Sequence, residues 1–310
     1  MKKIINLICL CIIIFGGIFL YKNYDQIISY GVKSLTTEET VQIPSNNKYF
    51  KSYNFNFVQN VNSFNPSNKQ DILNIIYTGL NKGAKEFSFY CNSEYENCLN
   101  DINAISSDKT LLSIVNNLVS PFNSYSKLYI STNQLGKVTI TLDSLYSEED
   151  INAINAKLDA IEKEIITNNM TNKEKIKKMH DYLINHAVYD SERAANIKAG
   201  TDESPKYLSH KANGPLLQGI TLCSGYSDAM KIYLDRLNLP NYKISNTDHI
   251  WNLVNIDDKW LHLDLTWDDP VTPDKQNLLL DKFFLINTNT LLTLDPTGHT
   301  FNKEYYSEAQ

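Results

Sequence analysis

Apolar residues recur at helical spacing in several stretches of this chain and alternate with polar ones in others. Ile72, Ile75, Ile76 and Leu80 share one face of a predicted helix over 70–80. A second helix is predicted over 111–119. Ile151, Ile154, Leu158, Ile161 and Ile165 make a longer stripe over 147–166, opened by Ser147-Glu148-Glu149-Asp150. Acidic residues in that first turn suit the helix dipole. Thr171 and Glu174 offer a capping box to a helix striped by Ile176, Met179, Leu183 and Ala187. Another helix follows Cys223, with Tyr226, Ala229, Met230, Tyr233, Leu234 and Leu237 on its stripe. Asn238-Leu239-Pro240 stops it. Alternation predicts a strand over 86–91. It also predicts a hairpin of 125–131 with 137–142, and another of 249–256 with 259–267 across Asp257-Asp258.

The N-terminus departs from this pattern. Ile4 to Tyr21 carries no charge and follows Met1-Lys2-Lys3. Its length approaches the roughly 20 apolar residues of a transmembrane helix, with the lysines on the cytoplasmic side. It reads as a membrane anchor over 1–22, or a signal peptide if cleaved, and no small-x-small cleavage site follows it. Residues 23–47 read as a polar linker. An α+β arrangement is expected beyond: a smaller α/β module over 48–145 and a larger domain over 146–310. Everything after the anchor is then expected outside the cytoplasm, on the cell membrane or secreted.

Composition narrows the function. The 310 residues carry a net charge of −6, and a nucleic-acid binder would be expected to show a basic patch. Cys91 and Cys98 flank a polar segment. Outside the cytoplasm they form a disulfide or remain two half-buried thiols.

The chemistry gathers between Cys223 and Pro270. Asn213-Gly214-Pro215 and Gly219 break the chain ahead of Cys223, which places this cysteine at a helix N-terminus. Exposed N–H groups and the helix dipole there favour a thiolate, and the same N–H groups suit an oxyanion. In the hairpin, the Asp257-Asp258 turn pairs Ile256 with Lys259, Trp251 with Asp264 and His249 with Thr266. His249 and Asp264 then share a face as diagonal neighbours, roughly 7–8 Å apart at the backbone. A one-residue slip would separate them. Cys223, His249 and Asp264 therefore read as nucleophile, base and orienting acid.

Three motifs stand in order here: Cys-x-Gly-Tyr at Cys223–Tyr226, His-x-Trp-Asn at His249–Asn252, and Trp-x-x-x-Asp-x-Thr-Trp-Asp-Asp-Pro at Trp260–Pro270. Together with Ile176–Tyr182 and Tyr189-Asp190, they resemble the bacterial branch of the transglutaminase-like superfamily of cysteine enzymes. Ile250 departs from the small residue common in that branch. The resemblance implies a papain-like catalytic domain, its cysteine helix packed on an antiparallel sheet. It puts the nucleophile on Cys223, the base on His249 and the third member on Asp264. The implied chemistry is a thioester acyl-enzyme made from an amide, as in a peptidase, an amidase or a protein cross-linking enzyme. The expected substrate is a peptide or cell-wall amide, and the mechanism requires no metal or organic cofactor. The alternative is a non-catalytic surface protein binding peptide or cell wall in the same cleft.

Other residues compete for roles. His262 shares the Asp264 face and is a rival base. Gln218 is a candidate oxyanion donor. His180 and His186 read as surface or packing histidines. Trp251, Trp260 and Trp267 read as core or cleft-wall aromatics. Asp268, Asp269 and Asp274 read as a capped turn more than as a cation site with Asp264. His299 and the tail after Leu294 say little.

Overall fold

The computed structural model describes residues 65–133, 136–272 and 278–303, with 18, 21–24, 40–41, 57–58, 305–306 and 308–309. Most of the predicted anchor, most of the linker and Asp274 lie outside these. Among the described residues no helix is long and apolar enough to cross a membrane. The chain is mixed α and β with antiparallel sheets. It divides into two compact units, one built on Phe55–Leu112 and Leu128–Leu142, the other on Ser113–Lys127 and Asp143–Gln310.

In the first unit, helix α1 (Lys69–Asn81) starts at Asn68, whose side chain accepts from Asp71 N. It buries Ile72, Ile75, Ile76 and Leu80, the predicted stripe. Strand β1 (Glu86–Tyr90) pairs antiparallel with β3 (Lys137–Ser144), and β3 lies between β1 and β2 (Tyr125–Thr132). After β1 come α2 (Cys98–Ser107) and α3 (Lys109–Leu118), whose residues from Ser113 on belong to the second unit. Helix α2 was not expected. It starts at Cys98, which is disulfide-bonded to Cys91 with 5.6 Å between Cα atoms.

The second unit opens with α4 (Glu148–Ile165) and α5 (Asn172–His186), each with a capping box, Ser147 with Asp150 and Thr171 with Glu174. The two-residue strand β4 (Val188–Tyr189) pairs parallel with β5 (Ile220–Thr221). Between them lies α6 (Ser191–Ala199), capped by Asp190 and closed by Gly200 in the left-handed region. Helix α7 (Cys223–Arg236) follows β5 directly. A four-stranded antiparallel sheet comes next. Its strands are β6 (Asn241–Ser245), β7 (Ile250–Ile256), β8 (Lys259–Leu263) and β9 (Phe284–Ile286), in the order β9-β8-β7-β6. Helices α8 (Leu265–Asp268) and α9 (Thr288–Leu294) flank β9. Helix α7 packs on β6 and β7. Its Met230, Tyr233 and Leu234 share one core with Leu158 and Ile161 of α4, Met179 and Leu183 of α5, and Val254 and Leu263 of the sheet.

The β7–β8 hairpin has the expected register at its turn: Ile256 pairs with Lys259 and Leu253 with His262. Asp257 and Asp258 both have positive φ, 50° and 65°, as a two-residue type I′ turn demands. The register ends early, and this corrects the expectation. Strand β8 stops at Leu263, so Asp264 does not pair with Trp251, nor Thr266 with His249. Asp264 instead caps α8, its Oδ1 accepting from Thr266 N at 2.9 Å and Trp267 N at 3.3 Å. Capping by an aspartate outweighed the strand preference of Thr266 and Trp267.

His180 of α5 is fully buried and ties α5 to α8. Its Nδ1 lies 2.9 Å from Asp181 Oδ1 and its Nε2 3.2 Å from Asp268 Oδ2. Burial opposes its charge, but the two carboxylates prevail and its pKa is raised. A raised folded pKa contributes stability that is complete below the unfolded value, about 6.5, and fades as pH rises through the folded value. His180→Gln should therefore cost about 3 kcal/mol at pH 6. The gap to wild type should narrow at pH 9, which thermal melts at the two pH values would check.

Candidate active site

Cys223 is the first residue of α7, and Leu222 occupies the N-cap. Its N–H is thus one of the four that the helix does not use. The neighbouring glycine of the Cys-Ser-Gly-Tyr run has a steric reason. A Cβ on Gly225 would lie 2.3 Å from Ser209 O, so any side chain would push the first turn away from the 209–211 backbone. The Cys223 side chain is partly exposed and unpaired with another cysteine.

Ser227, one turn on, joins this helix to the strand that follows His249. Its hydroxyl lies 2.8 Å from Cys223 O and 2.9 Å from Ile250 O, and its own carbonyl accepts from Asn252 Nδ2 at 2.9 Å. Asn246 holds the turn before His249 by accepting from His249 N at 2.9 Å. The asparagine of His-x-Trp-Asn thus anchors β7 on the cysteine helix.

The three residues singled out from sequence come together. His249 Nε2 lies 2.6 Å from Asp264 Oδ2. Cys223 acts on the same ring, its charge favouring the imidazolium. With Nε2 committed to Asp264, Nδ1 is the nitrogen left for the sulfur. Trp251 stacks on the imidazole, ring centroids 5.5 Å apart. Burial alone would push the His249 pKa down. The Asp264 charge and hydrogen bond, then Cys223, more than offset that and raise it to about 10. Asp264 is 1 % exposed. Burial opposes its charge, but His249 and His299 hold it well below the usual carboxylate range.

His299 and Asp295 were not expected here. His299 Nε2 lies 2.7 Å from Asp264 Oδ2, and its Nδ1 2.8 Å from Asp295 Oδ2. The turn in Asp295-Pro-Thr-Gly-His299 returns the histidine to Asp295, but nothing local in the sequence points to Asp264. Asp295 Oδ1 accepts from Gly298 N at 3.1 Å. A Cβ on Gly298 would stand 2.3 Å from Asp295 Oδ2. His249, Asp264 and His299 offer three ligand atoms within 4.8 Å of one another. Both nitrogens, however, sit at hydrogen-bond distance from one shared oxygen. That is too close for an ion at roughly 2.0–2.2 Å from each atom.

The competing residues fall elsewhere. Trp251 Nε1 donates to His262 Nδ1 at 3.1 Å, and His262 Nε2 lies 2.9 Å from Thr288 Oγ1. Burial, then the His299 charge, pushes the His262 pKa down to about 3. A neutral ring with both nitrogens engaged is not a base. Gln218 is exposed, and its carbonyl oxygen accepts from Leu208 N at 2.7 Å. The acids near Pro270 diverge. Asp268 meets His180 and Phe283 N, while Asp269 accepts from Tyr226 OH at 2.8 Å. His186 stacks on Tyr182 and Trp267 stays exposed.

A cavity of about 650 Å³ opens in this unit, walled by Tyr189, Arg193, Tyr207, Ile220, Asp269 and Pro270 among others. Cys223, His249 and Asp264 are not among its lining; Tyr189, which is, has its pKa pushed up to about 12 by burial and then by the charges of Cys223, Asp190 and Asp264.

No family model and no curated protein matches the chain. A solved structure described as the crystal structure of a TGase aligns at TM-score 0.34 and 18 % identity, over 49 % of this chain and 46 % of that one. The chain thus spans about half the length of that structure. So loose a likeness assigns neither a family nor an activity.

Proposed function

We propose that this protein is a transglutaminase-like cysteine enzyme that breaks amide bonds through a thioester on Cys223. The observation that carries the reading is His249 Nε2 committed to Asp264 at 2.6 Å, with Cys223 opening α7 and acting on the same ring. In this reading His249 is an imidazolium at neutral pH, facing a Cys223 thiolate. The sulfur attacks the carbonyl carbon of an amide, and the N–H of Cys223 helps to hold the oxyanion. His249 Nδ1 gives its proton to the leaving nitrogen as the C–N bond breaks. The acyl group stays on sulfur as a thioester. Water or an amine then attacks it, giving its proton to Nδ1, and the thiolate leaves. Asp264 fixes the tautomer throughout.

The cavity beside Tyr189 has the volume of a small-ligand site and offers room for a peptide. We place the reaction outside the cytoplasm, at the cell surface, on peptide or cell-wall amides. The Cys91–Cys98 disulfide supports this, because such bonds persist in oxidising compartments. The uncharged run Ile4–Tyr21 supports it as an anchor or a leader.

Acid-quenched trapping tests the reading. The full-length protein, incubated with cell-envelope peptides, should carry an acyl adduct on Cys223 by mass spectrometry. Cys223→Ala should carry none, while its melting temperature stays within about 2 °C, since the side chain is partly exposed. Peptide binding without an adduct on wild type would move the protein to the binding class.

A further inference from the structure

Asp264 serves two imidazoles, and the triad uses only one. Its Oδ2 accepts from His249 Nε2 at 2.6 Å and from His299 Nε2 at 2.7 Å, while Oδ1 caps α8. The far nitrogen of His299 faces Asp295 Oδ2 at 2.8 Å. An ionised carboxylate only accepts hydrogen bonds. Both His299 nitrogens therefore face carboxylate oxygens and are placed to donate to them. Four side chains thus form one hydrogen-bonded row, His249, Asp264, His299 and Asp295, and Cys223 acts on its His249 end. The two rings stand edge to face, centroids 5.3 Å apart. His249 keeps 11 % exposure and His299 has none, so only His249 is open to a substrate.

The charged and titratable neighbours are few. His299 faces Asp264, Asp295, His249 and the neutral His262, enclosed by the rings of Trp251, Trp267 and Phe283. His249 faces Asp264, Cys223 and His299. Tyr189 lies beyond, within the field of Cys223 and Asp264. A carboxylate with a single imidazole partner would hold the proton on that ring more tightly. A general acid held too tightly protonates a leaving nitrogen poorly.

Building on the cysteine-enzyme reading above, we propose that His299, clamped by Asp295, is a positioning residue that orients Asp264 and offsets part of its charge, leaving His249 free to release its proton. His299 touches neither the sulfur nor a substrate in this role. The device sets how strongly one carboxylate holds the catalytic ring.

His299→Gln separates charge from shape, because a glutamine amide can still donate to Asp264 but carries no charge. The readout is the rate of iodoacetamide alkylation of Cys223 in the full-length protein, taken in brief pH jumps between 7 and 11.5. Wild type should show an alkaline step set by His249, and the step should vanish in His249→Gln. In His299→Gln the step should move up by about one pH unit, the scale of a buried charge this close. Asp295→Asn should move it the same way by less, and it serves as the second variant if His299→Gln does not fold. A step that stays in place in the folded variants, or moves down, overturns the proposal. So does a wild type with no alkaline step. The cysteine-enzyme reading fails separately, through a missing acyl adduct, because alkylation needs no acyl donor.

Discussion

Replacing Asp264 by Asn should lower turnover of the acyl donor trapped on Cys223 by about 10⁴-fold, the scale on which a triad fails when its acid loses charge and keeps its shape. The loss follows from counting acceptors. Oδ1 of Asp264 accepts from two backbone N–H groups of α8, and Oδ2 from two imidazoles. An asparagine has one oxygen for both duties. If the oxygen keeps the cap, the amide NH₂ meets two Nε2–H donors. If it turns to the histidines, α8 loses its cap. In either case His249 loses the charge that raises its pKa to about 10, while the opposing burial remains. Its alkaline limit should fall by several pH units.

The same change should be visible in stability. The His249 contribution is complete below about pH 6.5 and fades as pH rises through about 10. The Asp264 contribution, from a depressed carboxyl, is complete above about pH 4 and fades as pH falls towards its folded value. The gap in melting temperature between wild type and Asp264→Asn should therefore be widest between about pH 4 and 6.5, and smaller at pH 10. A variant that keeps activity within tenfold of wild type would show that Asp264 does not orient the base.

Local rules carried the sequence reading far, and their limits are equally local. The stripes of α1, α4, α5 and α7 were legible because each buries a face of one helix, a property of neighbouring residues. The turn at Asp257-Asp258 set the hairpin register because two positive-φ residues leave one pairing for the strands. The end of β8 was not legible. Thr266 and Trp267 favour strands, and only the Asp264 carboxylate turning back on their N–H groups makes a helix start there. Asp264 and His249 meet all the same, through the cap and the turn at Asn246, not through the diagonal of a continued ladder. His299 was invisible for a different reason. Its partner Asp264 is 35 residues away, and no periodicity links the two. Helices α2 and α6 were missed because short polar segments carry little stripe, and their caps read as turns.

Asp228→Ala should destabilise the second unit by about 3–5 kcal/mol, the cost of leaving a buried charge without its partner. Asp228 sits on α7 and is 2 % exposed. Lys243 Nζ of β6 lies 2.6 Å from its Oδ1, and Tyr146 OH donates to its Oδ2 at 2.6 Å. Tyr146 OH in turn accepts from Ala212 N at 2.7 Å. Truncation strands the Lys243 ammonium, itself 5 % exposed, and removes the acceptor for Tyr146. The melting temperature should fall by roughly 10 °C or more. Asp228→Asn should cost less, because the amide oxygen can still accept from Tyr146. The double change Asp228→Leu with Lys243→Met should recover most of the loss, because buried ion pairs seldom outweigh apolar packing of similar volume. Recovery would show that the pair selects one docking of α7 on β6 more than it adds stability. Iodoacetamide alkylation should report the difference. A stable double variant whose Cys223 reacts slowly would mean that this pair keeps the sulfur aligned with His249. If Asp228→Ala instead melts within about 1 kcal/mol of wild type, α7 is held by its apolar face alone, through Met230, Tyr233 and Leu234.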